Sequence, residues 1–259
     1  MLLGATDSGK TSLARYLVEA LVKRRLQTSL IDSDIGQSGI GLPGTISMKV
    51  FREEDDLGDF CFERMTFLGF TNPSKVIPLM VAETRRMTDI AGRRAGSAVM
   101  DTTGLISGEV GKALKIAKIR ATRPAHIAAL QRGDELEHIL SLVMDARVLR
   151  LKVSSAANRR GASSRIAYRK RKLHEYFGAR DQSDHILDAA AVKFFYRGLE
   201  FRPGKKDMPR GAIIGLNHNN STIALGIIEE VEGGAVRVRS PLRSLKGINR
   251  VVCGEMTMS

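Results

Sequence analysis

The sequence predicts an α/β fold built on a doubly wound, mainly parallel sheet, and three observations carry that prediction. Short apolar runs alternate with segments of helical period, as they do in βαβ construction. A glycine-rich octapeptide, GATDSGKT, joins the first apolar run to the first helical segment. From about Phe201 the texture changes to short strands with turn punctuation. This predicts a small C-terminal β domain over residues 201–259 beside a larger domain over residues 1–200.

Taken in order, Met1–Leu3 make only a short first strand, which raises the expectation that native sequence upstream of Met1 is missing. The stretch TSLARYLVEALVKRR then spaces Leu13, Leu17, Leu21 and Val22 helically and ends in basic residues that suit a helix C-terminus, so a helix is predicted over Gly9–Lys23. Buried strands are predicted at Thr28–Ile31, Ser97–Met100, His126–Leu130 and Val148–Val153. Helices are predicted between them at Pro73–Gly92, Glu109–Arg120 and Asp134–Asp145. Beyond the loop FRPGKKDMPRG, the runs AIIGLN, STIALGIIEEV, AVRVRSP and NRVVCGEM read as short strands. There is no internal repeat and no low-complexity tail.

Composition narrows the function. At 259 residues the chain can bury a full core. No run approaches the length needed to cross a membrane, and the chain enters its glycine-rich loop directly rather than through a signal peptide. Cys61 and Cys253 share no metal-type spacing with histidine and read as buried thiols in a reducing cytoplasm. Lys and Arg total 41 against 28 Asp and Glu, and the net charge of +13 implies an acidic partner, with nucleic acid the first candidate. No protein partner is named by the sequence.

The octapeptide has the form G-x-x-x-x-G-K-[ST], and its place between strand and helix makes the fold a P-loop NTPase type. Gly4, Thr6, Asp7, Ser8, Gly9, Lys10, Thr11 and Ser12 would cradle phosphates with backbone N–H groups and the positive end of the following helix. Lys10 would reach the β- and γ-phosphates, and the Thr11 hydroxyl would ligate Mg²⁺. After the second strand comes LIDSDIGQSGIGLPG, whose Asp32 and Asp34 emerge at the carboxyl edge of the sheet, where ligands bind. Two acids near a nucleotide can divide the work, one holding Mg²⁺ through water and the other accepting a proton from an attacking hydroxyl. In SAVMDTTGLISG a hydrophobic strand ends in Asp101, the position of a metal-side acid, and Thr102, Thr103 and Gly104 form a polar turn able to hold a phosphate. Between Arg159 and Lys172 lie seven basic residues in fourteen and no acid. In a helix Arg165, Arg169 and Lys172 would line one face, with Ile166, Leu173 and Phe177 on an apolar side. Such a helix, within a lid of about residues 154–178, could close as a basic helical lid over a transferring phosphoryl group.

These stretches, in this order, resemble the polynucleotide 5′-hydroxyl kinases, the P-loop kinases of Clp/Grc type. The resemblance rests on GATDSGKTSL, DSDIGQS followed by GLPG, FLGFTNPSK, MDTTGLISG, the arginine run ending in EYF, and GAIIGLNHNNSTIALGIIEEV. It implies a D-x-D-x-G-Q element at Asp32, Asp34 and Gln37, a threonine-glycine clasp at Thr102–Gly104, and lid arginines best matched by Arg160 and Arg165. ATP or GTP is implied as donor, with Mg²⁺ as cofactor. The expected reaction is transfer of the γ-phosphoryl group to a 5′-hydroxyl end of RNA, or of DNA, in RNA processing or repair. Asp34 would be the base, Lys10, Arg160 and Arg165 would stabilise charge, Thr11, Asp32 and Asp101 would serve the metal, and Gln37, Thr102, Thr103, Gly104 and Arg169 would meet substrate. The alternatives are a nucleotide-binding, non-catalytic component of an RNA-processing complex, or a small-molecule kinase or GTPase on the same cradle. Two departures stand out: the β-rich N-terminal domain of larger relatives is absent, and there is no tryptophan to stack a terminal base.

Overall fold

The computed structural model describes residues 1–158, 161–179, 181–204 and 208–258. The core is a parallel set of strands: β1 (Leu2–Gly4), β2 (Thr28–Ser33), β5 (Ser97–Thr102), β6 (His126–Gln131) and β7 (Arg147–Lys152). β1 pairs with β6, β6 with β7 and β2 with β5, all parallel. β5 lies along the other side of β1, where Thr102 Oγ1 donates to Leu2 O at 2.7 Å. Helices α1 (Lys10–Val22), α2 (Ile77–Arg94) and α3 (Gly108–Thr122) cover this set. Leu30 and Val99 pack with Ala14, Val18 and Val22 of α1. Their chain neighbours Ile31 and Met100 pack with Met80, Met87, Ala91 and Leu114 of α2 and α3. Successive residues of one strand thus feed opposite layers, as the two-residue period of a strand requires.

Most predicted elements stand within a residue or two, and the exceptions have local causes. The buried stripe of α1 runs through Ala14, Val18 and Val22, with the three expected leucines only half-buried beside it. The helix expected from Pro73 begins as a single 3₁₀ turn, Pro73–Lys75, capped by Asn72 Oδ1 accepting from Ser74 N, and Val76, neither helical nor extended (φ −143°, ψ 32°), interrupts it before α2. The predicted helix Asp134–Asp145 shrinks to α4, Glu137–Leu140, because the N–H groups of Ile139, Leu142 and Val143 bond three residues back rather than four.

Five strands escaped the sequence reading, two of them between β2 and α2 and three between residues 183 and 201. β3 (Thr45–Phe51) and β4 (Arg64–Phe67) continue the sheet from β2 in antiparallel fashion, and β4 hands it on to β12. The remaining strands are β8 (Ser183–Asp188), β9 (Lys193–Tyr196), β10 (Leu199–Phe201), β11 (Ala212–His218), β12 (Ser221–Glu232), β13 (Ala235–Ser240) and β14 (Arg250–Thr257). The four runs read as strands after residue 201 are β11 to β14. The β-rich part begins earlier, at Ser183, because β8 zips onto β13 and β9 onto β14. Helix α5 (Ala162–Gly178) buries Leu173 and Phe177 against Leu42, Phe67, Ile213 and Ile227. Ile166, expected on that apolar side, is 48 % exposed, since it lies in the half of α5 that extends past the strands.

Among the described residues no helix is long and apolar enough to cross a membrane. Cys253 is buried, and burial pushes its thiol up to about 12. Cys61, expected to be buried, is exposed in the polar connection before β4, where Asp59 Oδ1 accepts from its N–H.

The junction between β4 and β14 depends on two glycines in contact. Gly69 has φ +78°, and a Cβ added at Gly254 would lie 2.0 Å from Gly69 O. Gly254→Ala should therefore force the strands apart and cost about 1–3 kcal/mol, the usual range for overpacking. Differential scanning calorimetry should show a Tm lowered by several degrees, and an unchanged Tm would mean that this junction yields freely.

Candidate functional site

The loop from Gly4 to Thr11 leaves the end of β1 and turns into α1 through Gly9 at φ +89° and Asp7 at φ +57°. Gly4 has no room for a side chain, since a Cβ would lie 2.4 Å from Ser8 Oγ and 2.8 Å from Leu130 O. No side chain caps the first turn of α1, so its N–H groups remain available to an anion. The buried Ser8 hydroxyl has no partner of its own. Beside the loop opens a cleft of 290 Å³, lined in part by Thr6, Lys10, Thr11, Asp34, Gln37 and Tyr168. Asp7, Ser8, Gly9 and Ser12 line it as well.

Lys10 is 6 % exposed and its Nζ donates to Ala5 O at 2.7 Å. Burial lowers its pKa, while Asp101, Asp34 and Asp7 resist that shift. Thr11 Oγ1 donates to Asp101 Oδ2 at 2.5 Å, whereas the buried Asp101 Oδ1 has no partner. Burial, followed by the proximity of Asp32, pushes the Asp101 carboxyl up to about 7. A hydroxyl and a carboxylate with one unused buried oxygen make a hard-oxygen donor set that fits Mg²⁺, which takes few protein ligands and completes its shell with phosphate and water.

The two acids of D-x-D-x-G-Q differ in how their oxygens are employed. Asp32 is 2 % exposed, and its carboxylate accepts from Asp34 N (3.0 Å), Ser38 Oγ (2.7 Å), Gly39 N (2.6 Å) and Ile40 N (3.2 Å). Burial raises its pKa and these bonds oppose the rise. Asp34 accepts from Gly36 N (2.9 Å) and Gln37 N (3.1 Å), both through Oδ1, and its side chain faces the cleft. Gln37 brings a buried Nε2 with no partner to the same wall.

In the clasp the threonines and the glycine have separate duties. Thr102 and Thr103 are buried, and Lys115 Nζ donates to Thr102 Oγ1 at 2.8 Å and to Thr103 O. Gly104 meets the phosphate loop directly, because a Cβ there would lie 2.4 Å from Thr6 N and from Thr6 Oγ1. Arg165 on α5 pairs with Asp7, Nη2 to Oδ2 at 3.3 Å, linking the basic helix to the phosphate loop. Arg169 is half-buried one turn further along and does not line the cleft. Arg160 lies outside the described residues.

Four residues at or behind the site went unread in the sequence. Arg15 lines the cleft, donates to Gly39 O at 3.2 Å and lies over the Phe60 ring, and its i+4 spacing from Thr11 put it on the same face of α1. Tyr168 lines the cleft, with its hydroxyl donating to Ser38 O at 2.8 Å, three residues from Arg165. Lys115 and Lys118 are fully buried on α3, in a stripe with Gly111, Leu114 and Thr122. The signal for them was two lysines at positions where the helical period calls for apolar residues.

A side chain at residue 104 must displace the phosphate loop. Gly104→Ala should lower nucleotide affinity about tenfold or more, from an overpacking cost of roughly 1–3 kcal/mol. Equilibrium titration with ATP would read this, and unchanged affinity would mean that the clasp does not constrain Thr6.

Comparison with known proteins gives a consistent result. A 35 % identical relative, a polyribonucleotide 5′-hydroxyl-kinase of Pyrococcus furiosus, aligns over 80 % of this chain and 59 % of its own length. Another of the same description, from Methanocaldococcus jannaschii, is 37 % identical over 68 % of this chain and 49 % of its own. The chain spans about half the length of the curated relatives it matches. Among solved structures, the wild-type Clp1p–Pcf11p (454–563) complex superposes with a TM-score of 0.78 at 14 % identity, covering 99 % of this chain and 73 % of that one, a likeness of fold. The model of the mRNA cleavage and polyadenylation factor CLP1 P-loop matches residues 4–179, more than half of the sequence, and the chain belongs to that family.

Proposed function

We propose that this chain is a polynucleotide 5′-hydroxyl kinase that transfers the γ-phosphoryl group of ATP or GTP to the 5′-hydroxyl of RNA, in RNA processing in a reducing cytoplasm. The observation that carries the reading is the grouping on one cleft of a phosphate loop, the Thr11–Asp101 pair, and an Asp34 that accepts only from its own loop through Oδ1. Relatives named polyribonucleotide 5′-hydroxyl-kinases support the substrate class, and the net charge of +13 suits a polyanion better than a small metabolite. DNA ends share the reacting hydroxyl and are a second substrate to test.

In this reading the phosphate loop and the start of α1 hold the β- and γ-phosphates through backbone N–H groups. Lys10 trades Ala5 O for γ-phosphate oxygens and follows the charge as the group moves. Thr11 and Asp101 would hold Mg²⁺, which when bound supplies charge neutralisation between the β- and γ-phosphates. Asp32 keeps the loop in shape, since its oxygens are already engaged. Asp34 accepts the proton of the 5′-hydroxyl as the O5′–Pγ bond forms and the bond from Pγ to the β–γ bridging oxygen breaks, releasing the nucleoside diphosphate. Arg165 leaves Asp7 for the transferring phosphoryl group, with Arg160 as its partner in the lid. Gln37 and the clasp would complete the wall that the substrate meets.

Labelled nucleotide incubated with a 5′-hydroxyl oligoribonucleotide tests the reading, and nucleotide binding without transfer would instead favour a non-catalytic component. Asp34→Asn keeps the Oδ1 acceptor but removes the charge. It should retain nucleotide binding while kcat falls on the order of 10²-fold or more, the worth of a general base. Asp101→Asn should act instead through Mg²⁺ dependence. A larger kcat loss in Asp101→Asn, with unchanged Mg²⁺ affinity, would mean that the base is misassigned.

The lid arginines need a control for bulk charge. Arg165→Ala should lower kcat at saturating RNA, by about 10³-fold if its guanidinium meets the transferring group. Lys170→Ala combined with Arg171→Ala removes more charge from the same helix but should change only RNA affinity and its salt dependence. Equal kcat losses in the two variants would show that the charge of the segment, and not Arg165, matters.

A further inference from the structure

The kinase reading assigns no role to two of the most deeply buried cations in the molecule. Lys115 and Lys118 are each 0 % exposed, one turn apart on α3, on the side of that helix that faces the sheet. Lys118 Nζ donates to Ser33 O at 3.2 Å and to Ser33 Oγ at 2.9 Å, and Ser33 is the residue between Asp32 and Asp34. Ser33 Oγ donates onward to Asp101 O at 2.9 Å. Lys115 Nζ, one turn earlier, reaches Thr102 Oγ1 and Thr103 O, while Thr102 Oγ1 donates to Leu2 O at the root of the phosphate loop. The two amines therefore touch, from behind, the chain segments that carry Asp34, Asp101 and the clasp, and neither lines the cleft.

Stability alone gives no reason for them. Burying an amine is costly in its charged form, and burial pushes the Lys118 pKa down to about 7 and the Lys115 pKa well below its ordinary value. A methionine of similar length would fill the same space without that cost. What the amines supply is direction, since an amine that donates both to a backbone carbonyl and to a hydroxyl, on Ser33 for Lys118 and on Thr103 and Thr102 for Lys115, fixes that stretch of chain in position and rotation. Active-site geometry is sensitive to displacements of this kind, and a shift of about 1 Å in a reacting group can cost on the order of 10²-fold in rate.

We infer that Lys115 and Lys118 are positioning residues for phosphoryl transfer: a pair of buried amines on α3 that hold the Asp32–Asp34 turn, the end of β5 and the clasp in the arrangement the reaction needs. The inference rests on the kinase reading and goes beyond it by assigning roles to residues that touch neither nucleotide nor RNA.

Lys118→Met and Lys115→Met test it, with Arg120→Met at the exposed end of the same helix as control. The expected result is a Tm equal to or above wild type, nucleotide affinity within about threefold, and kcat lowered about tenfold or more in both variants, with the control unaffected. Adding Ser33→Ala to Lys118→Met should cost less in kcat than the two single losses multiplied together, because both act through residue 33. An unchanged kcat overturns the inference. So does a lowered Tm with normal kcat per folded molecule, which is the behaviour of a purely structural lysine. If the wild type itself transfers no phosphate, the kinase reading is what fails. Hydrogen exchange then decides the positioning claim: the Asp34, Gly36, Gln37 and Gly39 amides should lose protection in Lys118→Met, and unchanged protection overturns it.

Discussion

The constraint on which the rest of this structure depends is electrostatic: three carboxylates stand together at the carboxyl edge of the sheet, where desolvation penalises the two buried ones, Asp32 and Asp101. Asp32 meets that penalty with four hydrogen-bond donors from its own loop. Asp34 has two donors and a place on the cleft wall. Among the described residues Asp101 has the Thr11 hydroxyl alone, and burial, followed by the proximity of Asp32, pushes its carboxyl up to about 7. The least satisfied acid is therefore the one beside the phosphate-loop threonine, which is where an added cation gains most. Lys10, Lys115 and Lys118 are the interior counter-charges, and all three feel the field of Asp34 and Asp101.

The sheet makes this cluster by register. β2 and β5 run parallel with Asp32 opposite Asp101 and Ser33 opposite Thr102. The same register places Ile31 opposite Met100, toward α2, and Leu30 opposite Val99, toward α1. A slip of one residue would turn both apolar sets to the wrong layers, so the packing that stabilises the core also fixes the spacing of the acids. Alignment of the acid-bearing edge is in this sense a by-product of burying the strand interiors on both faces.

Local signals carried much of this into the sequence. The phosphate loop, the acid-bearing turn after β2 and the turn after β5 could be read because each is a short motif whose residues act within a few positions of one another. The alternation of strand and helix located the layers for the same reason. What could not be read depended on partners far away in the chain. β3 carries a local signal in the alternation of Thr45-Ile46-Ser47-Met48-Lys49-Val50, whereas β4 is only four residues long and is a strand because β3 and β12 flank it. Cys61 was misjudged because composition says that thiols prefer the interior, whereas its place in a polar connection decided otherwise. Lys115 and Lys118 break the apolar period of α3, but what their amines hold is visible only once Ser33 and Thr103 are brought against that helix. The spacing of Asp32 and Asp34 does not say how they divide their work, and where the resemblance gives Asp32 to the metal, the folded turn surrounds its carboxylate with four donors and leaves Asp34 facing the cleft.

The basic helix illustrates how charge and packing share one element. The C-terminal half of α5 belongs to the core, with Leu173 and Phe177 buried and Tyr176 Oη accepting from Leu225 N at 3.0 Å on β12. In its N-terminal half no residue is buried, and among the described residues its links to the site include Arg165 to Asp7 and Tyr168 to Ser38 O. Those links end on the phosphate loop and on the acid-bearing turn, the two segments that must come together around a nucleotide. A helix rooted at one end and polar at the other can exchange such links for phosphate without disturbing its base, because the bonds given up are individually weak and partly solvated while those gained are charge-assisted. The long β-rich C-terminal region then acquires a physical purpose, since β12 is the floor on which the root of α5 rests.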